Sequence, residues 1–130
     1  MSGETDLSIL LESMKPEHRK GDYVFCTVEN TLNIDLNTIV MMFREAESIT
    51  VILPQSIADA LNLDYTFVAA WITLSVHSSL SAVGLTAAFS NALANHKISC
   101  NVVAAYYHDH IFVDKADIEK AMEVLHQLSV

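Results

Sequence analysis

In the N-terminal quarter of the chain, a segment with helical spacing of apolar residues is followed by a strand-like apolar run. Four apolar residues have helical spacing: Leu7, Leu10, Leu11 and Met14. The candidate N-cap residues Thr5 and Asp6 precede them. The next apolar segment, DYVFCTVEN, is apolar on both faces, which predicts a central β-strand. Pro16 and Gly21 lie between the two segments, and we expect them to bound a loop.

The rest of the first half predicts two strands, a helix and a further strand. IVMMFREAE and SITVILP predict two strands joined at Glu47 and Ser48. QSIADALNL predicts a short helix after Pro54, and YTFVAAWITLSVH predicts a long strand because it is rich in aromatic and β-branched residues. The segment that precedes them, NTLNIDLNT, is polar and predicts a loop or a short turn.

The second half continues with a helix, two strands and a final helix. SSLSAVGLTAAFSNALANHK predicts a helix capped by Ser78 or Ser79, with an apolar face made of Leu85, Phe89, Ala92 and Leu93. ISCNVVAAYY and HIFV predict two strands. DKADIEKAMEVLHQL predicts a helix that begins at an Asp114 cap and buries Ile118, Ala121, Met122 and Leu125.

The order of these elements indicates a weak internal repeat. Its length is about 60–65 residues, near the lower limit for independent folding. We place the boundary so that the halves are residues 1–64 and 65–130. No Gly/Ser linker separates them, so we expect one continuous packed structure. The pattern predicts an α+β fold in which helices cover an antiparallel sheet.

Composition and charge narrow the classes of function. Hydrophobic residues make up 52% of the chain, which predicts a well-filled core and apolar surface for an oligomer partner. A net charge of −9, with only seven Lys and Arg, disfavours binding to nucleic acid or to anionic membranes. No apolar run approaches the roughly 20 residues that span a bilayer, and the N-terminus lacks a secretion signal. We therefore expect a cytoplasmic protein whose two cysteines, Cys26 and Cys100, are buried thiols.

The segment YYHDHIFV carries the strongest candidate for metal chemistry. His108, Asp109 and His110 fall at a predicted hairpin connection, where Asp is a favoured turn residue. In a strand the two histidines would share one face and could hold zinc. Further ligands are not visible in the sequence, since His77 and His96 lie elsewhere. We expect a polar hairpin tip, with a metal site as the alternative.

From Val76 to Val113 the sequence resembles the ACT domain family, small βαββαβ modules that sense amino acids in allosteric enzymes such as aspartate kinases. The matching segments are Ser78-Ser79-Leu80, AVGLTAAFSNAL, ISCNV and YYHDHIFV, with GDYVF and FREAESITVILP in the first half. More closely, the chain resembles small free-standing bacterial proteins made of two ACT-like halves. The resemblance implies a ferredoxin-like fold. The chain departs from the family pattern at Ser48, where Gly is usual. Its second half also needs a further strand, either from the other half or from a second chain.

The resemblance also implies the place of an effector, since ACT effectors usually lie between modules, near the first strand-to-helix loop and the start of the next strand. Backbone N–H groups at a helix start suit the carboxylate of an amino acid. Asn101 could hold the ammonium group or satisfy a nearby backbone group. Gly84, inside the predicted helix, indicates close approach by a ligand or another element. The candidate ligand-binding residues are Ser78, Ser79, Leu80, Ala82, Val83, Gly84 and Asn101.

These observations together favour a regulatory protein without a cofactor. It would bind a small amino acid or related metabolite and form a homodimer. The sequence has no nucleophile elbow, phosphate loop or zinc-protease helix, so we expect that it is not an enzyme. One alternative is an assembly module without a ligand. Another is a metal-dependent enzyme that uses His108, Asp109 and His110.

Overall fold

The computed structural model describes residues 6–76 and 82–129. Contacts divide the chain into two compact units. Unit 1 comprises Met1–Lys20 and Ala70–Val130, and unit 2 comprises Gly21–Ala69. Unit 1 is therefore built from two separate stretches of the chain.

The described residues contain the helices and strands that the hydrophobic pattern predicts. In chain order they are α1 (Leu7–Ser13), β1 (Pro16–Val28), a 3-10 turn (Leu36–Thr38), β2 (Met41–Arg44), β3 (Ile49–Pro54), α2 (Gln55–Ala60), β4 (Val68–Leu74), α3 (Leu85–Asn95), β5 (Asn101–Ala104), β6 (Asp109–Asp114), a second 3-10 turn (Lys115–Asp117) and α4 (Ile118–Leu128). None of these helices has both the length and the apolar character that crossing a bilayer needs.

Unit 1 is a sheet with strand order β1-β4-β6-β5, covered by α1, α3 and α4. β5 and β6 pair antiparallel, from Asn101 opposite Phe112 to Ala104 opposite Asp109. Alternate residues of β4 and β6 point into the core, as the two-residue period of a strand requires. The core contains Leu10, Met14, Ala70, Ile72, Leu74, Leu85, Phe89, Leu93, Ile98, Ile111, Val113, Ala121, Val124 and Leu125.

The N-terminal segment supplies the strand that the second half lacks. Residues Pro16–Lys20 of β1 belong to unit 1, and the N–H group of Ser75 donates to the carbonyl oxygen of Lys15 at 2.8 Å. The prediction of a loop between Pro16 and Gly21 is therefore wrong. Pro is tolerated as the first residue of a strand, so β1 can begin there. Gly21, with φ +107°, is the first residue of unit 2.

Unit 2 is a sheet with strand order β2-β3-β1, and both pairs are antiparallel. Its core contains Val24, Cys26, Ile34, Ile49, Val51, Leu53 and Ala58. In the turn between β2 and β3 the N–H group of Glu45 donates to the carbonyl oxygen of Ser48 at 2.9 Å. Among the described residues only Asn62 and Lys97 have positive φ without being glycine. This turn therefore does not require glycine at Ser48.

The two cysteines are unpaired thiols, one in each unit. Cys26 is buried and Cys100 is half-buried. Burial raises the pKa of both thiols, and the nearby Asp64 carboxylate adds to the effect at Cys26. The prediction of a buried thiol is confirmed for Cys26, whereas Cys100 retains some exposure.

Candidate functional site

The N-terminus of α3 begins without a side-chain cap. Its N-cap residue is Gly84, and its first turn contains no acidic residue. Leu85 is buried in the core of unit 1, whereas Thr86 and Ala87 are exposed. The first N–H groups of a helix have no partner within the helix, and the helix dipole makes this end positive. The first turn of α3 therefore presents donors that suit a small anion.

The structure corrects the predicted start of this helix. Ala82 and Val83 lie outside α3, and Gly84 has φ +100° and ψ −18°. A helix needs φ near −63°, so the chain enters α3 only after Gly84. Ser78 and Ser79 are therefore not the caps of this helix, and Gly84 is not inside it. Ser78, Ser79 and Leu80 fall outside the described residues.

Gly84 is closely approached by another element, as one of the alternatives for this position predicted. A Cβ atom at Gly84 would lie 3.1 Å from Cδ2 of Leu7 on α1. The left-handed backbone conformation disfavours a side chain at this position for a second reason. Gly84 therefore fixes both the direction from which the chain enters α3 and the contact between α1 and α3.

The other predicted ligand-binding residues differ in their exposure. Ala82 is half-buried and packs against the core of unit 1, whereas Val83 is 84% exposed. Asn101 is exposed on β5, and its Nδ2 atom donates to the carbonyl oxygen of Phe112 at 3.2 Å. Asn101 thus satisfies a backbone group, which is one of its two predicted roles. Its Oδ1 atom is the acceptor of the same amide group.

Asn101 and the start of the segment that leads into α3 lie apart within one chain. β6 lies between β4 and β5, so the strand that carries Asn101 is not the neighbour of β4. Nδ1 of His108 is 3.5 Å from the carbonyl oxygen of Val76, whereas Asn101 is paired with Phe112. Four residues of an extended strand separate His108 from Phe112, or about 13 Å at roughly 3.3 Å per residue.

The HDH segment lies mainly in strand β6 and not in a hairpin tip. The N–H group of Ala105 donates to the carbonyl oxygen of His108 at 3.0 Å, which closes the turn before β6. Asp109 already pairs with Ala104, so Asp109 and His110 extend the ladder up to this turn. The prediction that all three residues form the connection is wrong for Asp109 and His110. The side chain of Asp109 is only 8% exposed, and burial raises its carboxyl pKa, against the opposing effect of His108.

His110 belongs to a hydrogen-bonded group of side chains from three strands. Nε1–H of Trp71 donates to Nδ1 of His110 at 3.0 Å, and Oγ1 of Thr73 lies 3.1 Å from the same nitrogen. Nε–H of Arg19 donates to Oγ1 of Thr73 at 3.0 Å, and the guanidinium carbon lies 5.9 Å from the centre of the Trp71 ring. Because an indole N–H can only donate, Nδ1 accepts and the proton of neutral His110 is on Nε2.

Protonation of His110 is disfavoured by its surroundings. Burial lowers its pKa, and the nearby His108 and Arg19 lower it further. A proton on Nδ1 would also displace the hydrogen bond from Trp71. The HDH sequence by itself does not indicate this group, although Trp71 and Thr73 are two residues apart on a predicted strand and therefore share one face.

A metal site at HDH would need further ligands, and the described residues supply none nearby. The rings of His108 and His110 share a face, with their centres 6.4 Å apart. Nδ1 of His110 is already the acceptor for Trp71. In residues 6–76 and 82–129, no three or more His, Cys, Asp or Glu side chains are grouped closely enough to hold a metal ion.

Comparison with known families finds two tandem matches. One sequence profile of the ACT domain matches residues 2–70, and a second ACT domain profile matches residues 67–127. No curated protein sequence matches this chain. The two matched ranges overlap at residues 67–70.

Solved structures give the same fold. A protein of unknown function from Vibrio cholerae, described as a possible transport protein, has a TM-score of 0.85 and 46% identity, over 95% of this chain and 96% of that chain. The ligand-free regulatory subunit of aspartate kinase from Thermus thermophilus has a TM-score of 0.64 and 8% identity, over 91% and 97%. Aspartokinase III from E. coli, in complex with aspartate and ADP, has a TM-score of 0.61 and 14% identity, over 90% of this chain and 34% of that chain. The predicted α+β, ferredoxin-like fold is confirmed.

Proposed function

We propose, because this chain belongs to the ACT domain family, that it is an amino-acid sensor in which the N-terminus of α3 binds the carboxylate of the effector. Family membership supports a small-molecule-binding regulatory role. The observation that carries the finer proposal is the first turn of α3, which follows Gly84 without a side-chain cap and without an acidic residue. Its backbone donors are therefore available to a ligand carboxylate.

The net charge of the chain explains why backbone donors would serve this purpose. With a net charge of −9 and seven Lys and Arg, the protein has few cationic side chains to offer an anion. Helix N-terminal N–H groups bind an anion without a cationic side chain. Residues Ser78, Ser79, Leu80, Ala82 and Val83 form the segment that leads to Gly84, and we retain them as candidate contacts to the effector.

Asn101 supports a site formed between two copies of the chain. Its amide nitrogen is bonded to the backbone at Phe112, so its Oδ1 atom is the group that could accept a hydrogen bond from an ammonium ion. About 13 Å of strand β6 separates it from the side of the sheet where Val76 lies. We therefore assign the ammonium contact to Asn101 of a second copy, with backbone carbonyl groups as the alternative.

A negative charge in the first turn of α3 should weaken effector binding. Thr86 is exposed in that turn, so Thr86→Asp places a carboxylate beside the N–H groups and also favours the helix. We expect the affinity to fall about 10-fold or more, which corresponds to about 1.4 kcal/mol. Calorimetric titration measures this with the amino acid that most raises the melting temperature of the wild type. Aspartate is the first amino acid to test, since the E. coli neighbour is in complex with it.

The matched control is Thr86→Asn, which has nearly the same shape without the charge. We expect its affinity to stay within about threefold of the wild type, which is less than 1 kcal/mol. Equal affinity of a folded Thr86→Asp protein and the wild type would place the carboxylate elsewhere. If no amino acid stabilises the wild type, an assembly module without a ligand becomes the better assignment.

A site shared by two copies requires an oligomer, and we propose a homodimer, since twofold symmetric dimers are the commonest oligomers. The 52% hydrophobic composition supports this state. Light scattering coupled to size-exclusion chromatography should give twice the mass of one chain. A monomer mass over a hundredfold concentration range, with or without the effector, would contradict both the dimer and the shared site.

A further inference from the structure

Unit 2 contains a pocket of its own where β1 ends. Its volume is about 290 Å³. Its apolar lining residues are Val28, Ile34, Leu61 and Leu63, and its polar ones are Thr27, Glu29, Asn30 and Asn33. Pockets for drug-sized ligands have about 300–1,000 Å³, so this one suits a smaller molecule. An apolar surface combined with a few polar groups, one of them charged, is typical of a site for a small amphipathic ligand.

Two turns with defined hydrogen bonds hold the walls of this pocket in place. On one side the N–H group of Leu32 donates to Oδ1 of Asn30 at 3.0 Å, and the N–H group of Ile34 donates to the carbonyl oxygen of Thr31 at 3.1 Å. These bonds bring Ile34 back into the core of unit 2, where it is buried. The wall is therefore formed before any ligand binds.

The opposite wall is formed where α2 ends. Asn62 has φ +57°, a left-handed conformation that Asn tolerates better than most residues. The N–H group of Leu61 donates to the carbonyl oxygen of Ile57 at 3.0 Å, and that of Leu63 to Ala58 at 2.9 Å. The chain thus reverses at Asn62, and Leu61 and Leu63 both pack against the core of unit 2.

The charge in this pocket favours a cation. Glu29 is exposed, and no ion pair joins it to a cationic side chain in the part of the chain that the structure describes. The residues that line the pocket include no Lys, Arg or His. A protein with a net charge of −9 also raises the local concentration of cations near its surface. An anionic group in the pocket would be repelled by Glu29 without compensation.

We infer that this pocket binds a small branched aliphatic amine, with its ammonium group on the Glu29 carboxylate and its hydrocarbon against Val28, Ile34 and Leu61. Such a ligand differs from the effector of α3, because it needs no carboxylate. A hydrogen bond between two charged groups is stronger than one between neutral groups. The ammonium group therefore determines affinity, and the apolar walls select the shape of the hydrocarbon.

Three probes that share one hydrocarbon skeleton test this inference: isopentylamine, isopentanol and isovalerate. Titrations followed by the backbone amide shifts of ¹⁵N-labelled protein should give saturable changes with the amine, at residues 27–34 and 61–63. We expect the alcohol to bind about 10-fold more weakly, since it lacks the charge. The acid should produce no saturable change there. Equal binding of amine and alcohol, or no binding of the amine, would overturn the inference.

A pair of charge-removing variants assigns the effect to one carboxylate. Glu29→Gln should weaken amine binding about 10-fold, to the level of the alcohol. Glu47→Gln is the matched control, since Glu47 is exposed in the turn between β2 and β3 of the same unit and does not line the pocket. It should change the affinity less than about twofold. Amine binding that survives Glu29→Gln unchanged would overturn the assignment.

The amine pocket in unit 2 and the proposed amino-acid site at α3 can be tested independently of each other. Thr86→Asp changes α3 in unit 1, so it should leave amine binding to unit 2 unchanged. Conversely, Glu29→Gln should leave the affinity for an amino acid at α3 unchanged. Loss of amine binding in Thr86→Asp would show that both ligands use α3, and would overturn the second site.

Discussion

Replacing Leu93 by alanine should lower the free energy of unfolding by about 2–5 kcal/mol. Leu93 is 0% exposed, in the core of unit 1 on the same face of α3 as Leu85 and Phe89. The substitution removes buried hydrocarbon and leaves a cavity, and both effects destabilise the protein. Alanine is the best helix former, so the loss reports packing and not helix propensity. Urea unfolding followed by circular dichroism measures it.

Leu32→Ala is the matched control, because the same atoms are removed from an exposed position. Leu32 is 87% exposed in the segment between β1 and β2. A surface substitution of this kind should change stability by less than about 0.5 kcal/mol. Since domains are stable by only about 5–15 kcal/mol, the two results should differ clearly. A Leu93→Ala protein as stable as Leu32→Ala would contradict the packing of α3 on the sheet.

The hydrophobic pattern was sufficient to predict most of the fold. Leu85, Phe89, Ala92 and Leu93 follow the spacing i, i+4, i+7 and i+8 of one helix face, and Leu85, Phe89 and Leu93 are buried. Val68, Trp71, Ile72 and Thr73 are aromatic or β-branched, and they predict the strand that the structure shows as β4. Patterns of this kind depend on local geometry alone, so a single sequence contains them.

The boundaries of helices and strands were less predictable, because they depend on backbone conformation and tertiary pairing more than on hydrophobic periodicity. Ala82 and Val83 continue the apolar pattern upstream of Gly84, yet the φ of +100° at Gly84 prevents α3 from extending through this residue. The polar residues of Pro16–Lys20 suggested a loop. They form a strand, because unit 1 needs a further strand beside β4 and the N-terminal segment supplies it. The need for this strand arises from tertiary structure, so no local feature of the sequence predicts it.

The hydrogen-bonded side chains around His110 could likewise be predicted only in part from the sequence. The sequence places Trp71 and Thr73 on one face of a strand, and His108 and His110 on one face of another. It does not give the order of the strands or their register. Only that order brings Arg19, Thr73 and His110 within hydrogen-bonding distance, 3.0–3.1 Å between successive partners. The local pattern therefore predicted the faces, and the tertiary pairing determined the contacts.

Acidification below pH 6.5 should destabilise the protein through His110. The pKa of His110 in the folded state is lowered by burial and by the neighbouring His108 and Arg19. In the unfolded chain a histidine titrates near pH 6.5. Between these two pKa values the unfolded chain binds a proton that folded His110 does not. The contribution is therefore fully present above about pH 6.5 and is lost as the pH falls toward the folded-state pKa, by at most about 1.4 kcal/mol per pH unit.

Asp109 contributes to the pH dependence with the opposite sign. Burial raises the pKa of its carboxyl group, so the folded state holds a proton that the unfolded chain has already lost. Between its raised folded-state pKa and the ordinary value of about 3.9, a falling pH therefore stabilises the fold. Unfolding measurements between pH 7.5 and pH 5.5 therefore sample His110 where its own contribution begins, and Asp109→Asn removes the opposing carboxyl group as a control.

His110→Asn should remove this part of the pH dependence. Asn offers an Oδ1 acceptor to the indole N–H of Trp71 but does not titrate. The difference in unfolding free energy between wild type and His110→Asn should therefore decline as the pH falls below 6.5. The emission of Trp71, the single tryptophan, should respond to pH in the wild type and not in the variant. His126→Asn, on the exposed side of α4, should keep the wild-type dependence. If His110→Asn keeps it instead, the acid sensitivity arises at another group, and the hydrogen bond from Trp71 does not oppose protonation of His110.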